Sequence, residues 1–112
     1  MAEIPYTKTV ISPGPVLITW ANLGNGDTGQ ELDGLIEFAD RTIEVAFAGA
    51  GSVSIKGRLA DASFKTLTDP QGNDLTLTTD KVEAVTELVR YLRPEASGVG
   101  VSVTVHLLLR RP

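Results

Sequence analysis

Val101–Leu109 reads V-S-V-T-V-H-L-L-L, with Val101, Val103, Val105, Leu107 and Leu109 on one face and Ser102, Thr104, His106 and Leu108 on the other. Side chains of a strand alternate between faces, and β-branched residues suit a half-buried pleated surface. The odd-numbered face is apolar without a break. This predicts a central strand that other segments pair with and pack on.

Ser97-Gly98-Val99-Gly100 leads into this strand, and Arg110-Arg111-Pro112 follows it as a solvated end. Upstream, Val89, Tyr91 and then Arg93-Pro94 read as a strand that proline stops. Asp80-Lys81-Val82-Glu83 has the form of a capping box, and Val82, Val85 and Val89 recur at helical spacing, which predicts one or two helical turns. Phe64 and Leu67 open a segment that ends in Thr68-Asp69-Pro70-Gln71-Gly72-Asn73-Asp74, after which Leu75 and Leu77 restart the alternation. Asp-Pro followed by Gly-Asn is turn chemistry. The oxygens of Asp69, Asn73 and Asp74 lack the spacing of a calcium loop, so the segment reads as a turn.

Ile43, Val45 and Phe47 alternate with Thr42, Glu44 and Ala46; Ala48-Gly49-Ala50-Gly51 reverses the chain. Val53, Ile55 and Leu59 then return with Ser54, Lys56 and Arg58 outward, so residues 41–59 read as a hairpin. Leu35, Ile36 and Phe38 form a short apolar segment, and Val16, Ile18 and Trp20 define another strand. Between these, Gly24-Asn25-Gly26-Asp27-Thr28-Gly29 matches G-x-G-x-x-G. A dinucleotide site needs a helix next, and Gln30-Glu31-Leu32-Asp33-Gly34 has no helical period. A connecting loop is the better account.

Seven or eight short strands with at most one short helix predict an all-β fold, an antiparallel β-sandwich of jelly-roll-like type. Residues 16–112 form one such domain. Residues 1–15, punctuated by Pro5, Pro13 and Pro15, read as an extended N-terminal arm. Its apolar residues Ile4, Tyr6, Val10 and Ile11 either fold back on the body or dock on another chain. The expectation is that these four serve a partner.

The 112 residues are 42% hydrophobic and 21% charged, the balance of a globular domain. A net charge of −4 speaks against a nucleic-acid surface. No run is long and apolar enough to cross a membrane as a helix, and no basic region with an apolar run opens the chain. A protein made and assembled in a cytoplasm is the simplest reading. Without cysteine there is no disulfide and no thiolate metal site. His106 is the single histidine, and no motif marks a nucleophile to go with it. Lys56, Arg58, Arg90 and Arg93 can share a sheet face, though interleaved with acids. Five per cent aromatic residues is lean for a glycan platform. No enzyme, cofactor or metal is expected.

Four pieces carry a resemblance: Ala39-Asp40-Arg41-Thr42-Ile43-Glu44-Val45, Leu67 through Leu75, Arg90-Tyr91-Leu92-Arg93-Pro94, and Ser102-Val103-Thr104-Val105 through Leu109-Arg110. In order, they span most of residues 16–111. Together they resemble a group of small tailed-phage proteins of about this length, encoded with head genes and taken to be capsid decoration (cement) proteins. The chain departs from that pattern at Arg58-Leu59-Ala60-Asp61-Ala62-Ser63-Phe64, where similar proteins often carry an Asn-Asp-Gly turn and a tryptophan; Phe64 is expected to replace that ring in the core. The resemblance implies a virion structural protein on the outer capsid surface, assembled in the bacterial host cytoplasm. Its partner would be the major capsid protein, and it would act as a homo-oligomer, trimer or dimer, without nucleic acid or membrane. A glycan-binding β-sandwich on a virion surface and a tail or head–tail component are the alternatives.

Overall fold

The computed structural model describes residues 2–11, 14–33, 35, 38–60 and 62–111. Ile36, Pro13, Asp61 and Pro112, which figure in the readings above, lie outside the described residues. The strands are β1 (Glu3–Ile4), β2 (Tyr6–Val10), β3 (Val16–Leu23), β4 (Thr28–Gly29), β5 (Asp40–Phe47), β6 (Ser52–Arg58), β7 (Lys65–Thr66), β8 (Thr76–Leu77), β9 (Lys81–Ala84), β10 (Tyr91–Ser97) and β11 (Val103–Arg110). A six-stranded sheet has the order β1-β4-β10-β6-β7, with β8 also on β6, and a five-stranded sheet has the order β2-β3-β11-β5-β9. Among the described residues, only β1 and β4 pair in parallel. The fold is an antiparallel-rich, jelly-roll-like β-sandwich, with no α-helix among the described residues.

β11 is the central strand of its sheet, flanked by β3 and β5. Val103, Val105, Leu107 and Leu109 are buried, and Val101 is buried just ahead of the strand. Ile18, Trp20, Ile43 and Val45 from the same sheet meet Val53, Ile55, Leu92 and Ala96 from the other in one core. Trp20 is fully enclosed, and its indole N–H donates to the Gln30 carbonyl at 3.0 Å. A buried indole needs such an acceptor. Gly29 lies beneath it: a Cβ there would stand 2.6 Å from Trp20 Cδ1 and 2.5 Å from Pro94 Cδ.

Three expectations are corrected. The segment 41–59 is not a hairpin. β5 pairs with β11 and β9, whereas β6 pairs with β10, β7 and β8, so Ala48–Gly51 carries the chain from one sheet to the other. Residues 98–100 make the opposite crossing beside it. A Cβ on Gly49 would sit 2.2 Å from the Gly100 carbonyl oxygen. Segments 40–58 and 91–110 therefore pair along their lengths and bend over together. Alternation satisfies this arrangement as well as it satisfies a hairpin, because both bury the same face of each strand.

The helical turns at 80–89 are also absent. Lys81–Ala84 is the edge strand β9, and the Asp80 carboxylate accepts from the Phe47 N–H at 2.8 Å at the end of β5. β-branched Val82 and Val85 suit that extended state. Pro94 does not stop its strand, which runs on to Ser97. Leu92 and Ala96 donate their N–H groups to Leu32 and Asp27, away from β6. Pro94 lies between them, so its missing donor falls where Gly29 packs against its ring.

Candidate functional site

The N-terminal segment is extended, and pairing ties it to both sheets. β1 adds to β4 and β2 adds to β3. Ile4 and Tyr6 pack half-buried against the core, with the Tyr6 ring edge-on to Trp20 at 6.0 Å. Val10 and Ile11 remain 66% and 42% exposed. The four residues singled out in the arm thus divide into two inner anchors and two outer apolar groups. Tyr6, Lys8 and Val10 border an open groove of about 390 Å³ whose floor includes Val16, Ile18 and Leu109.

The Gly24–Gly29 loop is closed on itself. Asp27 accepts from the Gly24 N–H at 2.8 Å and from the Ala2 N–H at 3.0 Å. Its carboxylate occupies donors that a phosphate would need. The 68–74 segment is an Asx turn, with Asp69 Oδ1 accepting from Gln71 N and Asn73 N, both at 2.9 Å. Among the described residues, no three His, Cys, Asp or Glu side chains gather as a metal site. His106 is half-exposed on the outer face of the five-stranded sheet, in register with Thr19 and Glu44. Its Nδ1 lies 2.9 Å from Thr19 Oγ1.

The outer face of the six-stranded sheet carries the densest polar chemistry. Tyr91, Arg93 and Glu95 on β10 stand opposite Arg58, Lys56 and Ser54 on β6. Glu31 accepts from Arg58 Nη2 at 2.6 Å and Nε at 3.0 Å, and Glu95 accepts from Lys56 at 3.2 Å. Phe64 is on this face and not in the core. The Arg93 and Arg58 guanidinium carbons lie 4.2 and 4.6 Å from its centroid. Arg58 and Arg90 approach the Tyr91 ring at 5.3 and 4.9 Å. The grouping of Lys56, Arg58 and Arg93, with Tyr91 at period two from Arg93, was readable from alternation; the Phe64 ring was not, because it arrives from a loop.

Arg41 was missed as a special residue. It is 3% exposed, and its guanidinium donates to the carbonyls of Phe38, Leu35, Val89 and Glu87. Burial lowers its pKa from the ordinary arginine value. It ties Leu35, Phe38, Glu87 and Val89 to the start of β5. A signal was available: Arg41 shares its face with Ile43 and Val45.

The sheets define a β-sandwich with open grooves on its edge and outer face. No family model matches the sequence, and no curated protein matches it. Among solved structures, the chain is similar to the SPBc2 prophage-derived protein YomS, with a TM-score of 0.66 and 13% identity over 90% of this chain and 98% of that one. A cupin domain from Bordetella pertussis Tohama I aligns with a TM-score of 0.49 and 15% identity over 98% of both chains. The Schizosaccharomyces pombe Cnp3 cupin domain aligns at 0.47 and 9%, over 96% of this chain and 60% of that one. At 13% identity, the likeness to the prophage-derived protein is one of fold.

Proposed function

We propose that this chain is a phage virion structural protein that binds the outer capsid surface and stabilises capsomer junctions. It acts by binding and not as an enzyme, with the major capsid protein as its partner and a trimer or dimer as its assembled form. The observation that carries this reading is the N-terminal segment. Ile4 and Tyr6 hold it to its own core, while Val10 and Ile11 are exposed and Val10 borders an open groove. A segment anchored at one end and apolar at the other suits attachment to a neighbouring chain. The sequence resemblance to decoration proteins and the sandwich shared with a prophage-derived protein support the same reading.

A ligand that binds only the assembled lattice stabilises it by RT ln(1 + [L]/Kd), about 2.7 kcal/mol per site at a hundredfold excess over Kd. Purified protein added to undecorated heads should bind to saturation at a fixed copy number per junction. Those heads should then withstand heat or low salt better. Mass spectrometry of separated particles that finds the protein in tails, or nowhere in virions, would overturn the proposal.

A further inference from the structure

We infer that the outer face of the six-stranded sheet carries a carboxylate-recognition site at Arg93, occupied by an acidic side chain of a partner protein. Three observations converge there. Arg93 lies directly opposite Lys56, and like charges in register across two strands repel. Lys56 and Arg58 each have a carboxylate partner, Glu95 and Glu31, whereas Arg93 has, among the described residues, only the Phe64 ring. Its Nε is shut off from solvent without an acceptor. Buried donors are nearly always paired, and a lone one asks for an explanation.

The geometry supplies one. Arg93 lines an open groove of about 450 Å³ with Lys56, Arg58, Phe64, Glu31 and Glu95. The Phe64 face holds the guanidinium plane, so its donor fork is set before a ligand arrives. The Nε side of that fork is closed to solvent, so a planar carboxylate would take its two parallel hydrogen bonds from the Nη1 and Nη2 edge. A phosphate or nucleic acid would bring more negative charge against Glu31, Glu95 and Glu3, which line the same groove, and against a net charge of −4. Among the described residues that line the groove, Arg93 is the cation without a counter-charge, and a single carboxylate would meet it. Glu3 makes no ion pair with Arg93 within 4.0 Å.

The inference does not depend on the capsid reading and is tested on the isolated protein. The probe is an acetylated, amidated tetraglutamate peptide, followed through the ¹H–¹⁵N resonance of the Arg93 Nε–H. Saturable movement of that resonance, weakened by added salt and absent with tetraglutamine, is the expected result. Arg93→Gln should weaken binding at least tenfold, and Arg93→Lys should also weaken it, because the charge remains but the fork is lost. No saturable movement, or equal movement with tetraglutamine, overturns the site. A shift of the resonance on Glu3→Gln without any peptide would make the chain's own Glu3 the occupant and overturn the partner.

Discussion

Arg41 is the residue on which the packing of two loops depends. Its guanidinium donates to the carbonyls of Leu35, Phe38, Glu87 and Val89. Removing one partner of a buried hydrogen bond leaves the other uncompensated, at about 1–3 kcal/mol for each group. Arg41→Met should therefore lower stability by roughly 3 kcal/mol or more. Arg41→Lys should recover little, because one ammonium cannot span carbonyls that a planar fork reaches together. Chemical denaturation of the three proteins measures both differences. Gly29 makes a second prediction at this scale. Since a Cβ there meets Trp20 and Pro94 inside 3 Å, Gly29→Ala should cost about 1–3 kcal/mol in the same assay.

Among the elements, the paired corners at 48–51 and 98–100 hold the two sheets in register. Gly49→Ala drives a methyl group against the Gly100 backbone, which has no flexible end to move aside. Gly72, at a turn with φ of +90°, has open space around it. Gly49→Ala should thus lower the melting temperature clearly more than Gly72→Ala, whose cost is conformational strain of about 1–2 kcal/mol. The arm gives a second contrast. An arm that served only a partner could lose residues 1–12 with the isolated protein's melting temperature nearly unchanged. Because β1, β2, Ile4 and Tyr6 are integrated, that deletion should instead destabilise the isolated domain. Val10→Ser with Ile11→Ser should leave melting nearly unchanged, and on the proposed function should weaken attachment to heads. A melting curve beside a head-binding assay separates the two roles.

For the whole molecule, the wrapping of segment 40–58 around segment 91–110 sets the folding problem. The strands of the central pairs β5–β11 and β6–β10 are distant in sequence, so loop closure precedes the contacts that reward it. Refolding should therefore occur on the millisecond-to-second scale and not in microseconds, as stopped-flow tryptophan fluorescence of Trp20 would register.

Which face of each strand turns inward was legible in the sequence. Val101 to Leu109, Val16 to Trp20 and Val53 to Ile55 all bury the predicted side chains, and Asp69 makes the predicted turn. Leu59 departs because its strand ends at Arg58, leaving it 67% exposed. Strand partners were decided only by the tertiary structure. Period-two alternation is a local property that marks inside and outside, but both sheets of a sandwich bury the same kind of face. The apparent hairpin at 41–59 became a crossing for that reason. The same limit applies to the candidate sites. A sequence shows that Lys56, Arg58 and Arg93 point one way, whereas only the folded register leaves Arg93 facing Lys56 with no carboxylate of its own among the described residues.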